Sequence, residues 1–222
     1  MARPRLAKSG DIIEMEEMEE KTGYHEKSSK DDTSQVNQEG KEPNAKRVYL
    51  AGPDVFFPNA IEIGNTKKRI CAQFGFEGVF PLDANFDALF KLGSAGDMGH
   101  ATFDLMVELM DRCDLVIANL TPFRGPSMDV GTAVEIGYMY GCGKPVFGYT
   151  NVVKDYAERV EPDDCFIESF GLVDNVMVEG PVYRTGVVVV RADVPPDEIY
   201  TSLEGFTGCV RQAAEMLLNQ QP

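Results

Sequence analysis

One stretch constrains the fold more than any other: DLVIANLTPFRGPSMDVGTAVEIGYMYGCG, residues 114–143. DLVIANL is a short apolar run with β-branched residues, of a length suited to a buried strand. TPFRGPS is turn chemistry, with Pro122, Gly125, Pro126 and Ser127 breaking any regular element. Val130, Val134, Gly137, Tyr138 and Gly141 then recur at helical spacing, which predicts a helix packing that stripe against a sheet. Strand, loop and helix in this order form a unit of a parallel α/β sheet.

The helix carries a carboxylate in an informative place. Helical side chains lean toward the N-terminus, so Glu135 projects over the turn that holds Gly131 and Thr132. Gly131, one turn earlier on the same face, has no side chain and leaves space beside the acid. Open α/β sheets take their ligands in this region, outside the C-terminal ends of the strands. The positive end of the helix dipole favours the ionised form of Glu135. Asp129 would diverge from Glu135 if both lay within the helix, at about 100° per residue. As the N-cap it lies outside the regular helix and can point back toward the pocket. Helix pattern alone leaves the plainer reading open, in which Asp129 only caps and Glu135 only solvates a face.

The rest of the chain extends the α/β reading. Residues 1–46 mix acidic and basic residues with few large apolar ones and are expected to be a disordered acidic tail, followed by one domain over 47–222. RVYLAGP reads as a first strand entering a glycine turn at Gly52. Residues 58–75 read as a helix with Ile61, Ile70 and Phe74 among its apolar positions, and 76–80 as a second strand. A long irregular stretch, 81–99, places Asp83, Asn85 and Asp87 where polar groups could read a base or sugar. Residues 100–113 read as a helix with Phe103, Met106, Val107 and Met110 inward and Asp104 at the edge of that face. KPVFGYT is a fourth strand, 155–180 resists assignment, Val187–Val190 is an edge strand or an insertion, and 204–218 is an amphipathic helix. Strands alternating with helices predict a parallel sheet with helices on both faces.

Composition narrows the function classes. A formal net charge of −15 argues against a nucleic acid polymer or an anionic membrane as partner. The 5 Cys are odd in number and none form a CxxC pair, which suits reduced thiols in the cytoplasm. With only 2 His, a zinc site is not expected. No apolar run reaches membrane-spanning length, and no secretory signal pattern opens the chain. Neither GxGxxG nor GxxxxGK[ST] is present, so no dinucleotide fingerprint or P-loop is supported.

The set VYLAGPDVF at 48–56, FDLM at 103–106 and SMDVGTAVEIG at 127–137, followed by KPVFGY, resembles the nucleoside 2-deoxyribosyltransferases. The resemblance implies a flavodoxin-like (Rossmann-like) α/β fold and exchange of nucleobases on 2′-deoxynucleosides, without a metal or an organic cofactor. It implies that Glu135 is the nucleophile, that Tyr49 orients it, and that Asp104 handles the proton at the base. Asp129 is implied to hold the sugar hydroxyls, Asn85 to read the base and Phe56 to stack on it, with Gly52 and Gly131 also at the substrate. Partners implied are 2′-deoxynucleosides, free nucleobases and further copies of the chain in a homo-oligomer, a dimer or larger. Where relatives receive an amide from a neighbouring subunit, the nearest position here is Phe166. Two alternatives stand beside the transferase: an N-glycoside hydrolase acting on 2′-deoxynucleosides or their 5′-monophosphates, and a non-catalytic nucleotide-sensing module. Relatives that cleave monophosphates tend to place a small hydroxyl residue where Asp129 stands, and a carboxylate there repels a phosphate.

Overall fold

Short apolar runs separated by helices leave a chain one economical way to pair its strands, parallel and covered on both faces. The computed structural model describes residues 45–87 and 93–218, and these form that arrangement. Strands β1 (Lys46–Ala51), β2 (Phe76–Val79), β3 (Leu115–Asn119), β4 (Val146–Thr150) and β5 (Val190–Arg191) alternate with helices α1 (Ala60–Gln73), α2 (Ala95–Asp111), α3 (Val130–Gly141), α4 (Val176–Thr185) and α5 (Glu204–Leu217). The sheet order is β2-β1-β3-β4-β5, with every pairing parallel. This is the flavodoxin-like order, whose ligand crevice opens between β1 and β3, where the strand order reverses.

Alternation along each strand divides the core in two. Tyr49, Ala51, Val116, Ala118 and Val146 face α2, α3 and α4, together with Ile136 and Met139. Val48, Leu50, Leu115, Ile117, Phe147 and Tyr149 face α1 and α5, together with Phe206, Cys209 and Val210. Among the described residues no helix is long and apolar enough to cross a membrane. The tail expected over 1–46 lies outside the described residues up to position 44; β1 begins at Lys46.

The expected faces of three helices differ from the observed ones. On α3 the buried positions are Thr132, Ile136 and Met139, whereas Val130 is 82% exposed and Val134 62% exposed. Apart from Tyr138, which packs against the core, the stripe read from periodicity therefore points outward, because the helix meets the sheet through the row beside it. Phe103, expected inward on α2, is 60% exposed. Ile61 is likewise exposed, and α1 packs through Ala60, Ile63, Gly64, Lys67 and Cys71 instead. The run Val187–Val190 ends in a two-residue edge strand beside β4.

Lys67 is unusual on such a face. Its ammonium is buried, 2.6 Å from Asp54 Oδ2, and donates also to the Tyr149 hydroxyl at 2.8 Å. The Tyr149 and Phe206 rings stand within 5.4 Å and 5.1 Å of the same nitrogen. A charge taken out of water persists only when paired and hydrogen-bonded in this way. Asp54 belongs to the turn that follows β1, so this contact pins that turn from beneath the sheet.

Candidate active site

The crevice is assembled from the ends of β1 and β3 and the start of α3. Tyr49 on β1 is fully buried, and its hydroxyl donates to Glu135 Oε1 at 2.6 Å. Met106 Sδ on α2 is the hydroxyl's other neighbour, at 3.7 Å. Burial pushes the Glu135 carboxyl up to about 7; the Tyr49 hydrogen bond opposes that rise, and the charge of Asp129 adds to it. The Tyr49 phenol is pushed well above its ordinary range by burial and by the neighbouring carboxylate. Among the described residues the carboxyl is thus held by one side-chain donor, with its protonation poised near neutrality.

Asp129 is the N-cap of α3. Its Oδ2 accepts from the Thr132 backbone N–H at 3.0 Å and from Thr132 Oγ1 at 3.1 Å. A Cβ at Gly131 would come to 3.0 Å from that same oxygen, so the glycine keeps a bare approach to Asp129. The loop before the cap is fixed from the far side. Asp174 accepts from Ser127 Oγ and from the Met128 N–H, and Arg159 donates to the Pro126 carbonyl.

Gly52 is buried where β1 meets β3. A Cβ there would lie 2.5 Å from Asp54 Oδ2 and 2.8 Å from Asn119 Cβ, so only glycine fits. Four residues on, Phe56 is half exposed and lies flat on Phe123, with ring centroids 5.7 Å apart and planes 10° apart. The Arg124 guanidinium covers both rings, 5.4 Å from Phe56 and 4.8 Å from Phe123. Arg124 adopts a left-handed backbone, φ 56°, which brings its side chain back over the pair.

Asp104 is exposed and makes no hydrogen bond among the described residues. Its position follows from helix geometry. Asp111, two turns later on the same ridge of α2, accepts from the Tyr138 hydroxyl of α3 at 2.6 Å. The two helices lie on the same face of the sheet, and the Tyr138–Asp111 hydrogen bond joins their C-terminal turns; Asp104 is not brought into contact with Tyr49, Asp129 or Glu135 among the described residues. Asn85 is exposed and turns inward on its own loop, Oδ1 accepting from the Asp87 N–H at 2.9 Å. Residues 88–92, which follow, lie outside the described residues. Among the described residues no cluster of three or more His, Cys, Asp or Glu is placed to hold a metal ion.

A family model described as nucleoside 2-deoxyribosyltransferase matches residues 48–177, more than half of the chain. The chain belongs to the nucleoside 2-deoxyribosyltransferase family. Its members are pentosyltransferases, and the chain is an enzyme of that class. It is also 36% identical over 165 residues to a protein of Schizosaccharomyces pombe described as uncharacterized, covering 63% of this chain and 78% of the relative. Its fold is similar to the solved structure titled 2-desoxiribosyltransferase from Leishmania mexicana, with a TM-score of 0.54, 25% identity, and coverage of 78% of this chain and 99% of that one.

Within this deoxyribosyltransferase fold, several residues that build the site escaped the sequence reading. Phe123 and Arg124 lie in a stretch whose sequence signals only a turn. Asn119, buried at the end of β3, accepts from the Thr121 N–H at 3.0 Å and shapes the floor opposite Gly52. A signal for Lys67 was present, since it falls on the Ile63–Cys71 row of α1. A lysine in an apolar row is read as an interruption until its partner is known.

Proposed function

We propose that this enzyme exchanges the nucleobase of 2′-deoxynucleosides through an ester of 2-deoxyribose with Glu135. The observation that carries the reading is the 2.6 Å hydrogen bond between Tyr49 and Glu135 in a crevice that holds the carboxyl near neutrality. A Glu135 oxygen attacks the anomeric carbon, and the glycosidic C–N bond breaks with its electron pair passing to the base nitrogen. Asp104, exposed on α2, supplies or relays the proton that makes the base a competent leaving group. A second base takes the sugar by the reverse path. Tyr49 holds the carboxylate and stabilises its ionised form, Asp129 accepts from the sugar hydroxyls, Gly131 leaves the approach to Asp129 bare, and Gly52 lets the β1 turn close against Asn119 and Asp54 beside the substrate. Phe56 offers the base a flat apolar face, and Asn85 reads its edge. Asp129 disfavours a 5′-phosphate by like-charge repulsion, which supports unphosphorylated nucleosides over their monophosphates.

The outward stripe of α3 supports a homo-oligomer. Val130, Val134, Gly137 and Gly141 line one row of the helix that carries Glu135, and a second copy would cover it. Val134→Glu then shifts the chain to monomer in sedimentation velocity. Exposed free thiols at Cys142 and Cys165 suit a reducing compartment such as the cytoplasm, in keeping with a role in deoxynucleoside salvage.

The test is incubation with deoxyinosine and free adenine. Formation of deoxyadenosine, lost in Glu135→Ala, supports transfer. Release of hypoxanthine without deoxyadenosine identifies a hydrolase, and binding without turnover a sensing module.

A further inference from the structure

The family match ends at Met177, yet the chain returns to the crevice well after it. Following β5, residues 195–202 form a tight double turn. The Glu198 N–H donates to the Pro195 carbonyl at 2.8 Å, and the N–H groups of Thr201 and Ser202 donate to the Glu198 carbonyl at 3.0 Å and 2.8 Å. Asn151, buried just past β4, anchors this turn with its side-chain amide, donating to the carbonyls of Ile199 at 2.9 Å and Ser202 at 3.0 Å. The Asn151 backbone N–H donates in turn to Thr121 Oγ1 at 3.1 Å, tying the turn to the end of β3. Gly205 permits this closeness, because a Cβ there would fall 2.6 Å from Asn151 Oδ1.

The anchored turn presents Tyr200. Its hydroxyl donates to the Pro122 carbonyl at 2.7 Å, and its ring stands 5.3 Å from Phe57 and 6.3 Å edge-on to Phe123. Phe57 and Phe123 meet edge to face at 6.1 Å, so the three rings contact one another in a closed set. Phe56 is outside that set and lies flat on Phe123. Phe123 therefore has one side fixed by Tyr200 and Phe57, and it transmits that orientation to the exposed ring beside it. Edge-to-face pairs hold their angle because ring edge and ring face carry opposite partial charge.

We infer that Tyr200 is a positioning residue that sets the plane of the Phe56–Phe123 stack and thereby the affinity of the site for a nucleobase. The inference rests on the proposed reading of the crevice and deepens it. A segment outside the matched region sets how tightly a flat heteroaromatic ligand is held, while the Tyr49–Glu135 pair that performs the chemistry is untouched. Binding and chemistry then respond separately to substitution.

The experiment uses the full chain with Tyr200→Ala and Tyr200→Phe, each checked by thermal melting. Acceptor KM for adenine and single-turnover rate at saturating deoxyinosine are measured side by side. The expected result is a KM raised about tenfold in Tyr200→Ala and about threefold in Tyr200→Phe, with the single-turnover rate within about twofold of the parent. Tyr200→Phe keeps the ring and the fold, so it decides the matter if the alanine variant is unstable. An unchanged KM, or a fall in rate at constant KM, overturns the inference. If the parent protein shows no turnover, the proposed function falls and the comparison moves to equilibrium dissociation constants for deoxyinosine. Weaker binding by the variants then supports the brace and equal binding overturns it. No binding by the parent overturns both.

Discussion

Replacing Tyr49 with Phe removes one hydroxyl from the core and leaves the ring in place. The lost contact is a 2.6 Å donation to a carboxyl held near pH 7 by burial. A hydrogen bond to a charged group contributes about 1.5–3 kcal/mol. One pH unit corresponds to about 1.4 kcal/mol, so the deletion raises the Glu135 midpoint by about one to two units. The sign follows from the donor, which favours the ionised carboxylate, so its removal favours the protonated acid. At pH 7 the ionised fraction falls from about a half to between about a tenth and a hundredth, and the rate of base release falls about 5- to 50-fold with it. Near pH 10 both proteins hold Glu135 ionised and their rates converge to within about twofold. The assay is single-turnover release of hypoxanthine from saturating deoxyinosine between pH 5 and 10. A uniform loss at every pH, with the midpoint unmoved, would refute the argument that Tyr49 acts through the ionisation of Glu135.

Three further outcomes are expected. Glu135→Gln stabilises the protein at pH 8.5 and leaves it unchanged near pH 4: the native carboxyl keeps its proton to about 7 while the unfolded one loses it near 4.5, so stability drains as pH rises through that window, by at most about 3 kcal/mol. Melting temperatures of the two proteins across that range check it. Lys67→Met leaves Asp54 buried without its partner and costs about 3–5 kcal/mol in urea unfolding, part of which Asp54→Asn restores when the two are combined. Gly52→Ala drives a methyl group into Asp54 and Asn119, costs about 1–3 kcal/mol, and lowers kcat/KM because the β1 turn must move; an unaltered crystal structure of the variant would contradict that.

The sheet and the position of Glu135 were readable because both follow from period and spacing. Apolar runs of strand length gave β1, β3 and β4, and the lean of helical side chains turned Glu135 toward the sheet's end, where it meets Tyr49. Periodicity reports that a helix has a face, not what the face meets, which is why Val130 and Val134 were expected in the core and lie outside it, while Tyr138 of the same stripe packs against it. The segment over 155–180 carried no apolar period because polar contacts organise it. Asp174 and Arg159 hold the loops there through backbone carbonyls and N–H groups that composition cannot reveal. Tyr200 and Phe123 were unreadable for a different reason: their pairing spans 77 positions of sequence, and only the closed sheet brings them together.

The Asp54–Lys67–Tyr149 contact imposes a rule on how sequences of this shape can diverge. A first change at either charged position strands the other in a dry interior, so a single step is costly in both directions. Lineages that abandon the pair must replace both ends nearly at once. Until they do, the turn between Gly52 and Phe56 inherits its geometry unchanged, and novelty in ligand choice has to arise from the loops that come later in the chain.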